Sequence, residues 1–270
     1  MKCGFCFATF QDIDPDNLPK GHIGRDDCIS VVEALGEAGF QKINFAGGEP
    51  TLCPWLSELI TRASDIGLVT SIVTNGSRIT PDWLQSVEGH LDWTALSIDS
   101  VNRATSLKIG RATQSGPLGE DDYLKAVDIL RTNDVRVKVN TVVTIFNLEE
   151  DLTDFIIEAR PERWKLLQVL PVKGQNDFSI GEYVISSSEF ERYVKLARRA
   201  ETFGIEVVPE SNELMRGSYV MVDPAGRFFD NVEGGHTYSR PILEVGIEQA
   251  LRDVSQDPAK FIKRNGLYNW

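Results

Sequence analysis

Residues 135–143 read VRVKVNTVV, and the alternation within this stretch decides how the chain is built. A β-strand turns successive side chains to opposite faces. One face therefore carries Val135, Val137, Val139 and Thr141, and the other carries Arg136, Lys138, Asn140 and Val142. The apolar face must meet helices, and the polar face must look into a space that accepts a lysine and an asparagine. Four further short runs rich in apolar or β-branched residues resemble it: KINFA (42–46), LVTSIVTN (68–75), DWTALSID (92–99) and RWKLLQVL (163–170). Between and around them lie segments of helical period at 25–39, 54–67, 80–87, 120–133, 148–160 and 186–204. Gly39 and Gly67 end two of these, while Thr80 followed by Pro81 offers a cap and a first helical residue to a third. Strands alternating with helices in this way predict an α/β fold of right-handed βαβ units, with a parallel sheet closed or partly closed into a barrel.

The parity of the other strands extends the first reading. KINFA sends Ile43 and Phe45 toward helices and leaves Lys42 and Asn44 opposite; RWKLL sets Trp164 and Leu166 against Arg163 and Lys165. Ser71 and Asn75 share a face, and Ser97 can turn inward with Ala95. A filled barrel would stack Val, Ile and Leu instead. An unpaired lysine in such an interior costs on the order of several kcal/mol. Lys42, Lys138, Arg163 and Lys165 converging on one lumen would demand an anion, and a polyphosphate suits both the arginine fork and the lysine point charge. The alternative is that each cation ends its strand at the surface, solvated or paired with a carboxylate. Periodicity alone does not choose between the two.

The composition bounds the rest. With 270 residues, 41% of them hydrophobic and 25% charged, the chain is long enough for one large core or two modest ones. Its 40 acidic against 28 basic side chains give a net charge of −12, which argues against general binding to nucleic acid or to an anionic membrane. No apolar run approaches membrane-spanning length and no signal peptide is readable, so a cytoplasmic protein is expected. Cys3, Cys6, Cys28 and Cys53 do not form a disulfide framework, and Cys28 and Cys53 read as inert, buried thiols.

FAGGEPTL (45–52) follows KINF directly. Gly47 and Gly48 permit close backbone approach, Glu49 supplies a carboxylate, and Pro50 stiffens the exit. At the C-terminal mouth of a barrel such a segment could hold an ammonium group, or it could be only a tight βα turn, as could TNGS (74–77). Cys3-x-x-Cys6 could be half a zinc site, a redox dithiol or part of an iron–sulfur cluster. No second ligand pair at zinc-knuckle spacing exists, and the residues after Cys6 read as loop rather than helix, which leaves the cluster loop.

Together KCGFCF (2–7), INFAGGEP (43–50), IVTNGS (72–77), LSIDS (96–100) and KIGR (108–111) resemble the radical S-adenosylmethionine (SAM) enzymes. KVNTVVTIFNLEED (138–151), RWKLLQVL, VPESN (208–212), SYVMVD (218–223) and ILEVGIEQAL (242–251) narrow the resemblance to the viperin family of nucleotide dehydratases, over essentially the whole chain. The resemblance implies a partial (βα)6 barrel over residues 1–170 and a C-terminal extension over residues 171–270 that covers the nucleotide. It implies a [4Fe–4S] cluster held by a Cys-x-x-x-Cys-x-x-Cys loop, of which Cys3 and Cys6 match the second and third ligands. The first would lie four residues before Cys3, outside the numbered chain, so a longer N-terminus is expected, and a tail beyond Trp270 likewise. For SAM the resemblance implies Phe5, Gly47, Gly48, Glu49, Asn75, Ser97, Arg111 and Val142; for the nucleotide, Lys42, Asn44, Lys138, Asn140, Arg163, Lys165 and Tyr219, with Asn140 and Tyr219 at the radical site.

The implied reaction is lyase-type. A 5′-deoxyadenosyl radical takes hydrogen from C4′ of a nucleoside triphosphate, the 3′-hydroxyl leaves as water, and the 3′-deoxy-3′,4′-didehydro product serves antiviral defence by ending RNA synthesis. CTP or UTP is the expected substrate, an external electron donor is expected, and a monomer is the expected state. In GGHTYSR (234–240) this chain departs from a Gly-Gly-Arg-Lys segment of animal relatives, so the phosphate-contacting lysine becomes His236 or Thr237 unless Arg240 replaces it. Other readings are a radical SAM enzyme for another phosphorylated substrate, or a cluster-free nucleotide-binding module.

Overall fold

The computed structural model describes residues 1–13, 18 and 21–270. Six parallel strands lie side by side in chain order: β1 (Lys42–Phe45), β2 (Val69–Thr74), β3 (Trp93–Ser97), β4 (Arg136–Val143), β5 (Arg163–Gln168) and β6 (Glu206–Glu210). The sheet curves without β1 pairing to β6, so the barrel is partial. Helices Arg25–Glu37, Leu56–Asp65, Pro81–Gln85, Glu120–Thr132, Thr153–Ala159 and Ser187–Ala197 connect the strands or precede them. Thr80 caps the third, accepting from the Trp83 N–H, with Pro81 in the first turn. Ser186 and Glu189 form a reciprocal capping box on the last.

Strand parity sorts the side chains as the alternation requires. Val137, Val139, Thr141 and Val143 of β4 are buried on the helix side with Leu96, Ile98 and Ile72. The helix Glu120–Thr132 meets them with Tyr123, Ala126, Val127 and Leu130, spaced to fall on one face. Polar atoms on this side are satisfied locally: the Trp164 indole donates to the Thr141 hydroxyl at 2.9 Å, which donates to the Ile98 carbonyl at 2.7 Å.

The boundary expected at residue 170 falls inside the sheet, because β6 lies beyond it. Pro209 within β6 explains the difference: a proline demotes a run as a strand in sequence, yet at the edge of a sheet it costs no ladder bond. The rest of the chain follows Glu210. It adds an antiparallel sheet of β7 (Met221–Val222), β8 (Arg227–Asp230) and β9 (Thr237–Pro241). Phe228, Ile242, Ile247 and Ala250 pack on Val31 and Leu35 of the first helix, sealing the barrel beside β1. The last helix, Pro258–Lys263, leads the chain end back to the strands. No helix among the described residues is long and apolar enough to cross a membrane.

Leu96 is wholly buried between sheet and helices. Leu96→Ala is expected to cost about 2–5 kcal/mol, read as a lower urea midpoint at unchanged m-value; a loss below about 1 kcal/mol would contradict this core.

Candidate active site

At the C-terminal ends of the strands the chain turns sharply, and a half-buried carboxylate and a buried one tie the turns together. Glu49 caps the short helix Pro50–Leu52 and accepts from the hydroxyls of Thr51 (2.7 Å) and Thr74 (2.6 Å) and from the Asn75 N–H (2.8 Å). The loop after β1 is thereby stapled to the loop after β2. The Asn75 side chain in turn accepts from the Ser77 N–H at 2.9 Å, closing a turn in which Gly76 takes φ +81°. The Glu49 carboxylate is thus largely engaged within the protein, and the surface left to a ligand here is the exposed backbone of Gly47 and Gly48.

The second tie is Asp99, fully buried. One oxygen accepts from the Val142 N–H at 2.8 Å and the other from Arg111 Nε at 2.5 Å, while the Asp99 carbonyl accepts from Asn147 at 2.7 Å. Burial works against the Arg111 charge, but Asp99 outweighs it and raises the guanidinium pKa. The guanidinium lies 5.6 Å from the centre of the Phe5 ring, itself edge-on to Tyr183 at 5.7 Å. The Cys3–Cys6 turn docks on the same region: Lys2 N–H donates to the Gly110 carbonyl at 3.1 Å, Cys6 N–H to the Cys3 carbonyl at 3.1 Å, and Asn176 to the Phe5 carbonyl at 3.3 Å. Gly110, at φ +82°, leaves no room for a Cβ against the Lys2 carbonyl. Burial pushes the Cys3 thiol up. Both thiols border one cleft of about 150 Å³. Thiolates suit an iron–sulfur cluster. Among the described residues no third His, Cys, Asp or Glu joins them, so two of the donors a cluster needs are present.

Below the mouth, the inward faces of the strands form a polar lumen. Lys42, Lys138 and Arg163 surround Tyr268, which the last helix delivers from the chain end. The phenol accepts from Lys42 Nζ at 2.6 Å and from Lys138 Nζ, and its ring lies 3.7 Å from the Arg163 guanidinium. Trp93 stands edge-on to Tyr268 and is faced by Lys138 at 4.2 Å. Arg163 also donates to the Asn265 carbonyl at 2.9 Å and lies 3.2 Å from Glu206 without hydrogen-bond geometry. Lys42 and Lys138 form no ion pair among the described residues. Burial first, then repulsion between neighbouring cations, lowers the Lys138 pKa; for Lys42 burial leads and the nearby arginines add to it. Burial lowers that of Arg163 as well.

Lys165 is different. It pairs with Glu210 at 2.7 Å and donates to Tyr219 at 3.0 Å; Tyr219 donates to Glu210, and Arg264 reaches Glu210 at 3.1 Å while stacking 3.7 Å from the Tyr219 ring. Here the alternative of a carboxylate partner is what the structure shows. Asn140 lies beside Lys165 in register, and Asn44 beside Ser71. All the residues expected to line the nucleotide thus face one lumen. His236, Thr237 and Arg240 do not join them: His236 sits among Phe10, Phe229 and Tyr238, Thr237 pairs with Asp230, and Arg240 binds Asp253 at 2.9 Å. Cys28 packs beside Leu59 and Val32 and Cys53 against the main core, both half-buried rather than buried as expected.

Sequence reasoning missed Asp99, Glu210, Arg264 and Tyr268. Glu210 alternates with Glu206 on the inner face of β6 and was legible once that strand is granted. Nothing local marks Tyr268, whose partners lie more than a hundred residues away.

The sequence profile of the Radical SAM superfamily matches residues 1–157. A protein of Flammeovirga pacifica called S-adenosylmethionine-dependent nucleotide dehydratase is 48% identical over 270 residues, covering 100% of this chain and 92% of its own. One of the same name from Lacinutrix mariniflava is 49% identical over 271 residues, with this chain spanning 56% of its length. The S-adenosylmethionine-dependent nucleotide dehydratase RSAD2 of Oncorhynchus mykiss is 36% identical over 279 residues, 77% of its length. Among solved structures, anSMEcpe with bound AdoMet and a peptide shares the fold at TM-score 0.62 and 16% identity, over 85% of this chain and 70% of that one. SuiB of Streptococcus suis bound to S-adenosylmethionine does so at TM-score 0.59 and 19% identity, over 77% and 47%.

Two outcomes are expected from the lumen. Replacing an under-neutralised buried cation with an apolar side chain of similar length relieves repulsion, so Lys138→Met should stabilise the ligand-free protein by about 1–2 kcal/mol in urea unfolding. Because the folded pKa of Lys138 lies below its unfolded value, the unfolded chain binds more protons between that depressed value and about 10.4. Stability should therefore rise with pH through that window. Lys138→Met should flatten this rise, and an unchanged slope would show that Lys138 is solvated. Separately, Gly110→Ala should displace the cysteine turn, lowering iron retained after anaerobic reconstitution while leaving the core transition in place.

Proposed function

Since the chain belongs to the radical SAM superfamily and, within it, to the S-adenosylmethionine-dependent nucleotide dehydratases, we propose that it dehydrates the ribose of a nucleoside triphosphate, with CTP or UTP as substrate. The observation that supports this best is the arrangement of Lys138 and Arg163, buried, and Lys42, half-buried, with no carboxylate in ion-pair contact with either lysine among the described residues, in the lumen below the SAM-type mouth. A polyphosphate supplies the missing negative charge, and its binding offsets what holding these cations together costs.

In this reading each residue has a physical task. Cys3 and Cys6 hold irons of the cluster, with the remaining thiolate coming from outside these residues. The cluster and SAM, when bound, supply the radical that removes a hydrogen atom from the sugar. Gly47 and Gly48 present backbone to the SAM ammonium, held in place by Glu49 and Asn75. Phe5 and Val142 line the adenosine, and Arg111, fixed by Asp99, meets SAM oxygens beside Ser97. Asn44 and Asn140 orient the ribose, and the extension, whose boundary we place after Glu210, closes over the substrate. A single chain served by an external electron donor in the cytoplasm completes the reading.

The test is anaerobic reconstitution of the intact natural protein, followed by incubation with SAM, a reductant and CTP, UTP or GTP in turn. The expected result is 5′-deoxyadenosine formed only with nucleotide, together with a nucleotide lighter by one water, most with CTP or UTP. Deoxyadenosine formed equally with and without nucleotide, and no dehydrated product, would overturn the reading.

A further inference from the structure

The outer side of the cysteine turn opens to solvent through the cleft that both thiols border, and Phe178 stands at its rim with 98% of its surface exposed. The segment that carries this ring is well tied. Asp177 accepts from the Gly174 N–H at 2.6 Å, the Asn176 carbonyl accepts from the Ile180 N–H at 2.9 Å, and the Ser179 hydroxyl donates to the Gly4 carbonyl. The same turn that holds the cysteine loop down therefore points Phe178 outward. Burying a phenylalanine is among the larger gains open to a chain, and here it is forgone. On the loop itself Phe7 is 41% exposed; beyond it Ile145, whose N–H donates to the Tyr183 carbonyl at 3.1 Å, is 47% exposed. Tyr183 packs edge-on against Phe5 at 5.7 Å and Phe146 at 5.0 Å, so this apolar surface is continuous with the cysteine turn.

The charges at this face also depart from those of the whole chain. Lys2 is exposed beside Cys3, and the exposed Lys108 lies 4.4 Å from the Phe146 ring; neither has an ion-pair partner among the described residues. With Lys173 they stand near Asp177 and Glu182, in a chain whose net charge is −12. An acidic partner is repelled by the molecule at large and meets unpaired cations here. We propose that this face seats the external electron donor, and that the donor is a small acidic one-electron carrier protein anchored on Phe178. This rests on the dehydratase reading above, which needs such an electron and does not say where it enters. Electron transfer weakens steeply with distance, so a carrier has to settle where the thiols come nearest the surface. In the step itself the carrier loses one electron and the cluster gains it, with no bond made or broken. Redox encounters are small, below about 1,200 Å² in total, and in a small interface one preset aromatic ring can carry much of the binding.

The probe is an oxidised bacterial flavodoxin, titrated by calorimetry at two ionic strengths into the anaerobically reconstituted intact protein, so that binding is read without turnover. The wild type should bind, and less tightly at the higher salt. Phe178→Ser should weaken binding about tenfold or more, and Lys2→Glu combined with Lys108→Glu should do so by a similar factor of about ten at low salt. Phe203, 62% exposed just before β6 and hence at the opposite end of the strands, supplies the control. Phe203→Ser should stay within about twofold of the wild type. Bleaching of the cluster absorbance by reduced flavodoxin should slow in the same order. Dithionite, which needs no docking face, should reduce every variant and support deoxyadenosine formation within about twofold of the wild type. A wild type that does not bind flavodoxin, unchanged binding by Phe178→Ser, or equal loss in Phe203→Ser would overturn the proposal. So would a matching loss with dithionite, since the ring would then be shaping the cluster loop. A wild type that accepts electrons from flavodoxin yet removes water from no nucleotide would instead overturn the nucleotide reading and leave the docking face in place.

Discussion

Like charges buried in one lumen are the constraint on which this structure turns. Taking a charge out of water costs several kcal/mol after relaxation, on the order of a whole domain's margin when repeated. Lys138 and Arg163 incur that cost fully and the half-buried Lys42 in part, answered by a phenol, the faces of Trp93 and Trp270, a backbone carbonyl and a poorly aligned Glu206. The other face of the same strands offsets it. Val137, Val139, Leu96, Ile72 and Leu166 are buried against helices that present matching apolar faces. The sheet is a partition between a dry, dense side that stabilises and a wet, charged side that destabilises.

The mouth follows a different rule. Its carboxylates are spent on hydroxyls, backbone N–H groups and one guanidinium, so Glu49 and Asp99 shape turns instead of reaching for ligands. What they present is an exposed glycine backbone and an arginine in a fixed orientation. Pre-set donors and acceptors of this kind lose little entropy on binding, which is why rigid strand ends carry them well.

Much of this was legible because the period of a strand is two. The alternation in 135–143 alone sorts Val137 and Val139 from Lys138 and Asn140, and the same parity places Lys42, Arg163 and Lys165 inside. Local signals also located the helix cap at Thr80, whereas the Ser186 cap came from the structure. β6 escaped because Pro209 breaks the strand pattern, and with it went Glu210, the partner that makes Lys165 unlike the other three cations. Arg240 looked available as a cation by composition, but Asp253 holds it at the surface. Tyr268 was invisible for a general reason: insertion of a chain end among distant strands leaves no periodic trace in the residues that make it.

The cysteine turn shows the same dependence on distance more strongly. Within residues 1–13 the turn has short-range bonds such as Cys6 N–H to the Cys3 carbonyl, and the bonds that dock it come from later in the chain. Lys2 is held by Gly110, Thr9 and Phe10 by Gln175 at 3.0 and 2.7 Å, and Asp12 by Gln175 at 2.7 Å and Tyr238 at 2.8 Å. Each bond spans more than a hundred residues, so the loop-closure entropy is met only after the strands and the extension have assembled. The thiolates therefore reach their working positions at the end of folding, on the seam where the barrel and the C-terminal sheet both grip one strand-free segment. A change that loosens either grip acts on the cysteine site and, through Phe5 and Cys3, on the edge of the main core against which they pack.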